Sequence, residues 1–178
     1  MRFGDEYSSA KKSTVFFAVM GLICFLAACS VFPFLPGFSR TNAPDLLLCL
    51  CCVIPKYYDT KKSSVLALIL GFLADLFINT PVLFSPVIYL ASAVFTPYFY
   101  RYFNRIGTIV SAVCALPMLA LHSAVGTAVV MYVRKTAVLG TVLIKVILPE
   151  LIINFAFVLI LGFILKYLTR LFGIPKND

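Results

Sequence analysis

Residues 44–58 read PDLLLCLCCVIPKYY. How this stretch is taken decides how often the chain crosses a membrane, and so the orientation of everything after it. From Pro44 to Ile54 it is apolar apart from Asp45. At 1.5 Å of rise per residue that run is too short for a hydrocarbon core about 30 Å thick, so by length alone it is a re-entrant segment. Carried on through Tyr57 and Tyr58, whose rings suit an interface, it just spans.

The surrounding sequence sets the context. Hydrophobic residues make up 62% of the 178 residues and charged residues 12%, against about 45–50% and about 25% in soluble domains. Too few polar side chains remain to cover a water-facing surface, so the solvent for most of this chain is lipid. Long apolar runs cover 13–35, 63–79, 82–98, 107–133 and 149–171. Thr80-Pro81 separates two of them, Pro117 offers a kink in the fifth span, and Pro149 suits a first helical turn. Residues 137–148, apolar but interrupted by Lys145, suit a short helix at the interface. With 44–58 included, the expectation is an all-α, polytopic, single transmembrane domain of about six helices.

The basic residues test that count. If the N-terminus is cytoplasmic, the inner segments hold Arg2, Lys11, Lys12, Lys56, Lys61, Lys62, Arg101, Arg105, Lys166, Arg170 and Lys176. The outer segments hold only Arg40, Arg134, Lys135 and Lys145. Such a bias is what the positive-inside rule expects of six spans with both termini in the cytoplasm. Without a crossing at 44–58 every later segment inverts and the bias disappears. The net charge of +8 is thus read as orientation and contact with anionic headgroups of the bilayer. Nucleic-acid binding needs basic residues gathered on one folded face, and none is expected here.

The six cysteines, Cys24, Cys29, Cys49, Cys51, Cys52 and Cys114, all fall inside apolar runs. Cys49 and Cys52 have C-x-x-C spacing, but no second pair matches them, so they are read as small packing residues, with no metal or cofactor. Leu26-Ala-Ala-Cys29 resembles a lipidation signal. The apolar run continues past it to Leu35, so an uncleaved first helix without a lipid is expected.

Ionisable residues inside a membrane are the default functional candidates, because each costs at least ~2.5 kcal/mol near the bilayer centre. Asp75 and His122 qualify, while Asp45 and Glu150 fall at span ends. Gly71, Asp75 and Asn79 recur every four residues and share one helix face, which should meet protein rather than lipid. Asp75 would lie about 6 Å inside the outer end of its span, capping or pairing locally to hold two helices together, with a carboxylate facing a partner or ligand as the alternative. His122 falls mid-span, with no carboxylate evident at its depth, and reads as a packing histidine rather than a proton relay. No HExxH motif, phosphate-cradling glycine loop or carboxylate pair appears, so no enzyme is expected.

From Pro44 to Ala93 the sequence resembles the MreD family of bacterial rod shape-determining proteins. The carrying features are Pro44-Asp45 opening a short Leu-rich span, the basic turn Lys56–Lys62, and Gly71-Phe-Leu-Ala-Asp75-Leu76 in the third helix. Leu148-Pro149 ahead of a long final run ending in Lys166 and Arg170 is also similar to that family's C-terminus, and size and six-span plan agree over nearly the whole chain. The turn after Asp75-Leu76 departs from the family in lacking glycines. The resemblance implies a non-enzymatic scaffold of the cell-elongation machinery in the bacterial cytoplasmic membrane, supporting rod shape and sidewall peptidoglycan synthesis. It implies association with the membrane-anchored MreC and, through it, with MreB, RodA and a penicillin-binding transpeptidase. It further implies a fold similar to the substrate-binding subunits of energy-coupling-factor transporters. The alternative is therefore a small-molecule-binding subunit of a vitamin transporter, whose pocket Asp75, Asn79, Asn154 and the outer basic residues would line.

Overall fold

A computed structural model describes residues 3–30, 44–77, 84–103, 107–134 and 147–174. All the elements among them are helical: α1 (Phe3–Ser30), α2 (Leu46–Val53, continued by a 3-10 turn at Ile54–Lys56), α3 (Thr60–Phe77), α4 (Ser85–Phe103), α5 (Thr108–Arg134) and α6 (Leu148–Leu171). Asn79 and residues 137–148, save the first residue of α6 and the one before it, lie outside the described residues. Except at α1, which begins ten residues ahead of its apolar run and continues through Cys29, the long helices start close to the apolar runs. Pro97 and Pro117 fall inside α4 and α5, which continue through them.

Helix α2 departs most from its sequence reading. Asp45 caps its start, accepting the Leu48 amide at 3.0 Å, and so satisfies one of the donors that a helix N-terminus leaves open. At the other end Pro55 has no N–H to continue the ladder, and the chain tightens into the 3-10 turn. All eight residues of α2 are buried, and it packs against all five other helices. A helix apolar on every side is stable only when surrounded. Together with its 3-10 turn it is about 16 Å long, about half a hydrocarbon core and shorter than a crossing segment.

Contacts at the helix ends fix the direction of each helix. The Thr14 and Tyr58 hydroxyls lie 2.7 Å apart, and the Phe16 and Phe172 rings 5.5 Å apart, so the middle of α1 lies beside the ends of α2 and α6. Phe25 meets Phe77 at 5.4 Å, so α1 and α3 end together. Asp75 accepts the Ser85 amide at 3.1 Å, so α4 starts where α3 ends. From Thr108, packed against Gly162, α5 rises to His122, whose ring lies 5.5 Å from Phe84 just before α4. Successive helices therefore alternate in direction. Three are long and apolar enough to cross a membrane, over Lys12–Ser30, Thr108–Val129 and Leu148–Leu171. Their outward faces carry Leu22, Ile23, Ile109, Val113, Ile160 and Phe163, all exposed, as a lipid-facing surface does.

Candidate functional site

Two polar joints occupy the end of the bundle where α2, α4 and α6 begin. The first seats α3 on α4. Asp75 is buried and receives the Ser85 amide, one of the open donors at the start of α4. One turn earlier, a Cβ on Gly71 would come within 2.5 Å of the Pro86 Cα and 2.7 Å of its nitrogen. Only a residue without a side chain allows that approach. Gly71 and Asp75 thus act on one helix face, as their spacing requires, and meet protein there.

The second joint is centred on Asp45. Its carboxylate accepts the Tyr89 hydroxyl at 2.6 Å and 2.7 Å, one distance to each oxygen, besides the Leu48 amide. Its backbone N–H donates to Asn154 Oδ1 at 2.8 Å. The His122 Nε2 lies 3.4 Å from Asp45 Oδ2, with the two side chains 14% and 15% exposed. Cys49, one turn along α2, directs its thiol at the Asn154 carbonyl, 3.4 Å away. Glu150 stands one turn before Asn154 on α6. Four helices therefore meet at Asp45, three of them at its carboxylate.

Such convergence is what a carboxylate in an apolar bundle needs. An ionised acid there is costly unless its lone pairs are filled, and hydrogen bonds to a charged group contribute about 1.5–3 kcal/mol each. Asp45 has its acceptors filled from its own helix and from α4, with His122 alongside. Other atoms are left over: His122 Nδ1 and Asn154 Nδ2 are buried with no hydrogen-bond partner among the described residues. No three metal-binding side chains converge among those residues.

The sequence reading of His122 missed its neighbours. In the sequence Asp45 and Glu150 fall at span ends and no carboxylate is level with the histidine, whereas the structure sets Asp45 3.4 Å from it. Because α2 is short and packed among the other helices, its cap Asp45 meets residues of α4, α5 and α6. The antiparallel register of α5 and α6 sets Glu150 opposite the middle of α5. Tyr89 was overlooked altogether, though a signal existed. Ser85, Tyr89, Ser92 and Thr96 recur at three- and four-residue spacing and are all buried on the inner face of α4, and a Tyr hydroxyl inside a bundle requires an acceptor. Asp45, His122 and Asn154 are thus brought together, while Gly71 and Asp75 form a separate joint. No protein-family model, curated protein or solved structure matches the chain.

Proposed function

We propose that the chain is a non-enzymatic membrane scaffold of the MreD kind, crossing the bacterial cytoplasmic membrane six times with both termini inside and holding an MreC-like partner for sidewall synthesis. The observation that carries this reading is the Gly71–Asp75 joint. The residues through which the sequence resembles that family are engaged in seating one helix on the next, which is architecture rather than chemistry. Asp45 is likewise engaged by its own bundle. Six crossings are supported by the alternating directions: α1 and α3 run the same way, so the chain returns between them however short α2 is. That alternation gathers Lys12, Lys56, Lys61, Lys62 and Arg170 toward one end and Asp45, Asp75 and Glu150 toward the other. A fold of the kind found in the substrate-binding subunits of energy-coupling-factor transporters belongs to the same proposal.

One observation favours the second reading, a small-molecule-binding transporter subunit: the unpartnered polar atoms of His122 and Asn154, to which a ligand would bind. Affinity purification of the tagged chain from mild detergent, with partners identified by mass spectrometry, separates the two. Recovery of an MreC-like anchor with elongation enzymes is expected. Recovery of an ATPase module in their place would support the transporter and end the scaffold reading.

A further inference from the structure

Helix α1 packs on α2 and α3, and α6 packs on α2 and α5. Where α1 passes the end of α6, a ring contact joins the two: Phe16 lies 5.5 Å from Phe172. Phe16 is partly buried against the core, whereas Phe172 stays exposed. Basic side chains border this contact. Lys12 is exposed and stands one turn before Phe16, on the same face of α1. Arg170 is exposed in the last turn of α6, two residues before Phe172, and Lys166 is exposed one turn before it. Tyr58 adds a third side. Its hydroxyl meets that of Thr14 at 2.7 Å, and the Lys62 Nζ lies 5.9 Å from its ring centre. Among the described side chains at this end, Asp59 is the one acid.

A short way along both helices the surface turns apolar. Val19 and Ile23 continue the Lys12–Phe16 face of α1, and Phe163 precedes Lys166 and Arg170 on their face of α6. All three are exposed. Exposed positive charge and lipid-facing apolar surface therefore adjoin within about two helical turns. An acidic protein or a nucleic acid would match the cations alone, whereas an anionic phospholipid matches both halves. The positive-inside rule accounts for the side on which these charges lie. It does not require that they border a ring contact between two helices.

We propose that this end of the bundle is a docking site for an anionic phospholipid. Its phosphate lies between Lys12 and Arg170, with Lys166 and Lys62 adding to the positive field. Its acyl chains run past Phe172 along the exposed apolar faces of α1 and α6. Bound there, the lipid ties together two helices that the protein itself joins at this end by a pair of rings. The site rests on the bundle's placement in a bilayer and not on an MreC-like partner, so it holds for a scaffold and for a transporter subunit alike.

The test is native mass spectrometry of the full chain in mild detergent, mixed with phosphatidylglycerol or with phosphatidylcholine of identical acyl chains. Phosphatidylglycerol should stay bound in preference to phosphatidylcholine. The double variant Lys12→Gln/Arg170→Gln should bind it about ten- to thirty-fold more weakly, since each cation near an anionic headgroup contributes about fivefold. Arg134→Gln/Lys135→Gln removes the same charge elsewhere and should leave binding unchanged. Glycerol phosphate, which carries the charge without acyl chains, should not be retained. Equal retention of the two lipids would overturn the proposal, as would equal losses in the two double variants or retention of glycerol phosphate as firm as the lipid's. Displacement of phosphatidylglycerol by polyglutamate would assign the face to an acidic protein and overturn it as well. Should the Lys12/Arg170 variant fail to fold, the comparison of the lipids and glycerol phosphate on the wild-type chain decides. Recovery of the chain in the membrane fraction of lysed cells checks the placement separately: a membrane-bound chain without lipid preference removes the site and leaves the placement standing.

Discussion

Asp45 and Tyr89 form a short polar contact, 2.6 Å, and their energies should be strongly coupled. Asp45→Ala removes the cap of α2 and leaves the buried Tyr89 hydroxyl without its acceptor. A loss of about 1–3 kcal/mol is expected. Tyr89→Phe should cost about 0.5–1.5 kcal/mol. The double variant should cost clearly less than the two together, because either change alone breaks the same contact. Thermal unfolding of the four proteins in detergent measures the coupling, and additive losses would show that the contact contributes nothing. Asp75→Leu should also lower the melting temperature, by about 1–3 kcal/mol equivalent, since it strands the buried Ser85 amide. Gly71→Val presses a side chain into the Pro86 backbone and should cost at least about 1–3 kcal/mol. An unchanged melting temperature in both would mean that this face meets something other than α4. The Gly71–Asp75 face was legible because helical spacing reports it directly. The Asp45–His122 pairing was not, because the two residues are far apart in sequence and meet only through the depth at which α2 begins.

Helix α2 shows the limit of reading apolar runs by length. A run without a polar face is compatible with a lipid-crossing helix or a core helix, and periodicity does not separate the two. What distinguishes this one is its neighbours, five helices that leave none of its residues exposed. The expected consequence is a sharp contrast between two leucines. Leu50→Ala, at a site with no exposure, should cost about 2–5 kcal/mol through the cavity it leaves. Leu22→Ala on α1, where the side chain is 55% exposed, should change stability by no more than about 0.5 kcal/mol. Equal losses in a thermal-shift assay would place α2 at the periphery and contradict the packing described here.

The long helices were legible in the sequence because each combines an apolar run with punctuating prolines or charges. The way they pack together was not, since no local pattern records which helix face meets which. The packing sends the chain back and forth, and the charges follow it: basic residues toward one end, Asp45, Asp75 and Glu150 toward the other. If this bundle lies in a membrane as proposed, the short α2 still has to carry the chain from one side to the other. The direct test starts from a variant in which the six native cysteines are replaced. Single cysteines are then placed at Arg40, Lys61 and Arg134 and treated with a membrane-impermeant thiol reagent from each side. The account predicts modification at Lys61 only from the cytoplasmic side, and at Arg40 and Arg134 only from outside. Modification of Arg40 and Lys61 from the same side would mean that the chain turns back at α2 without crossing, and would contradict it.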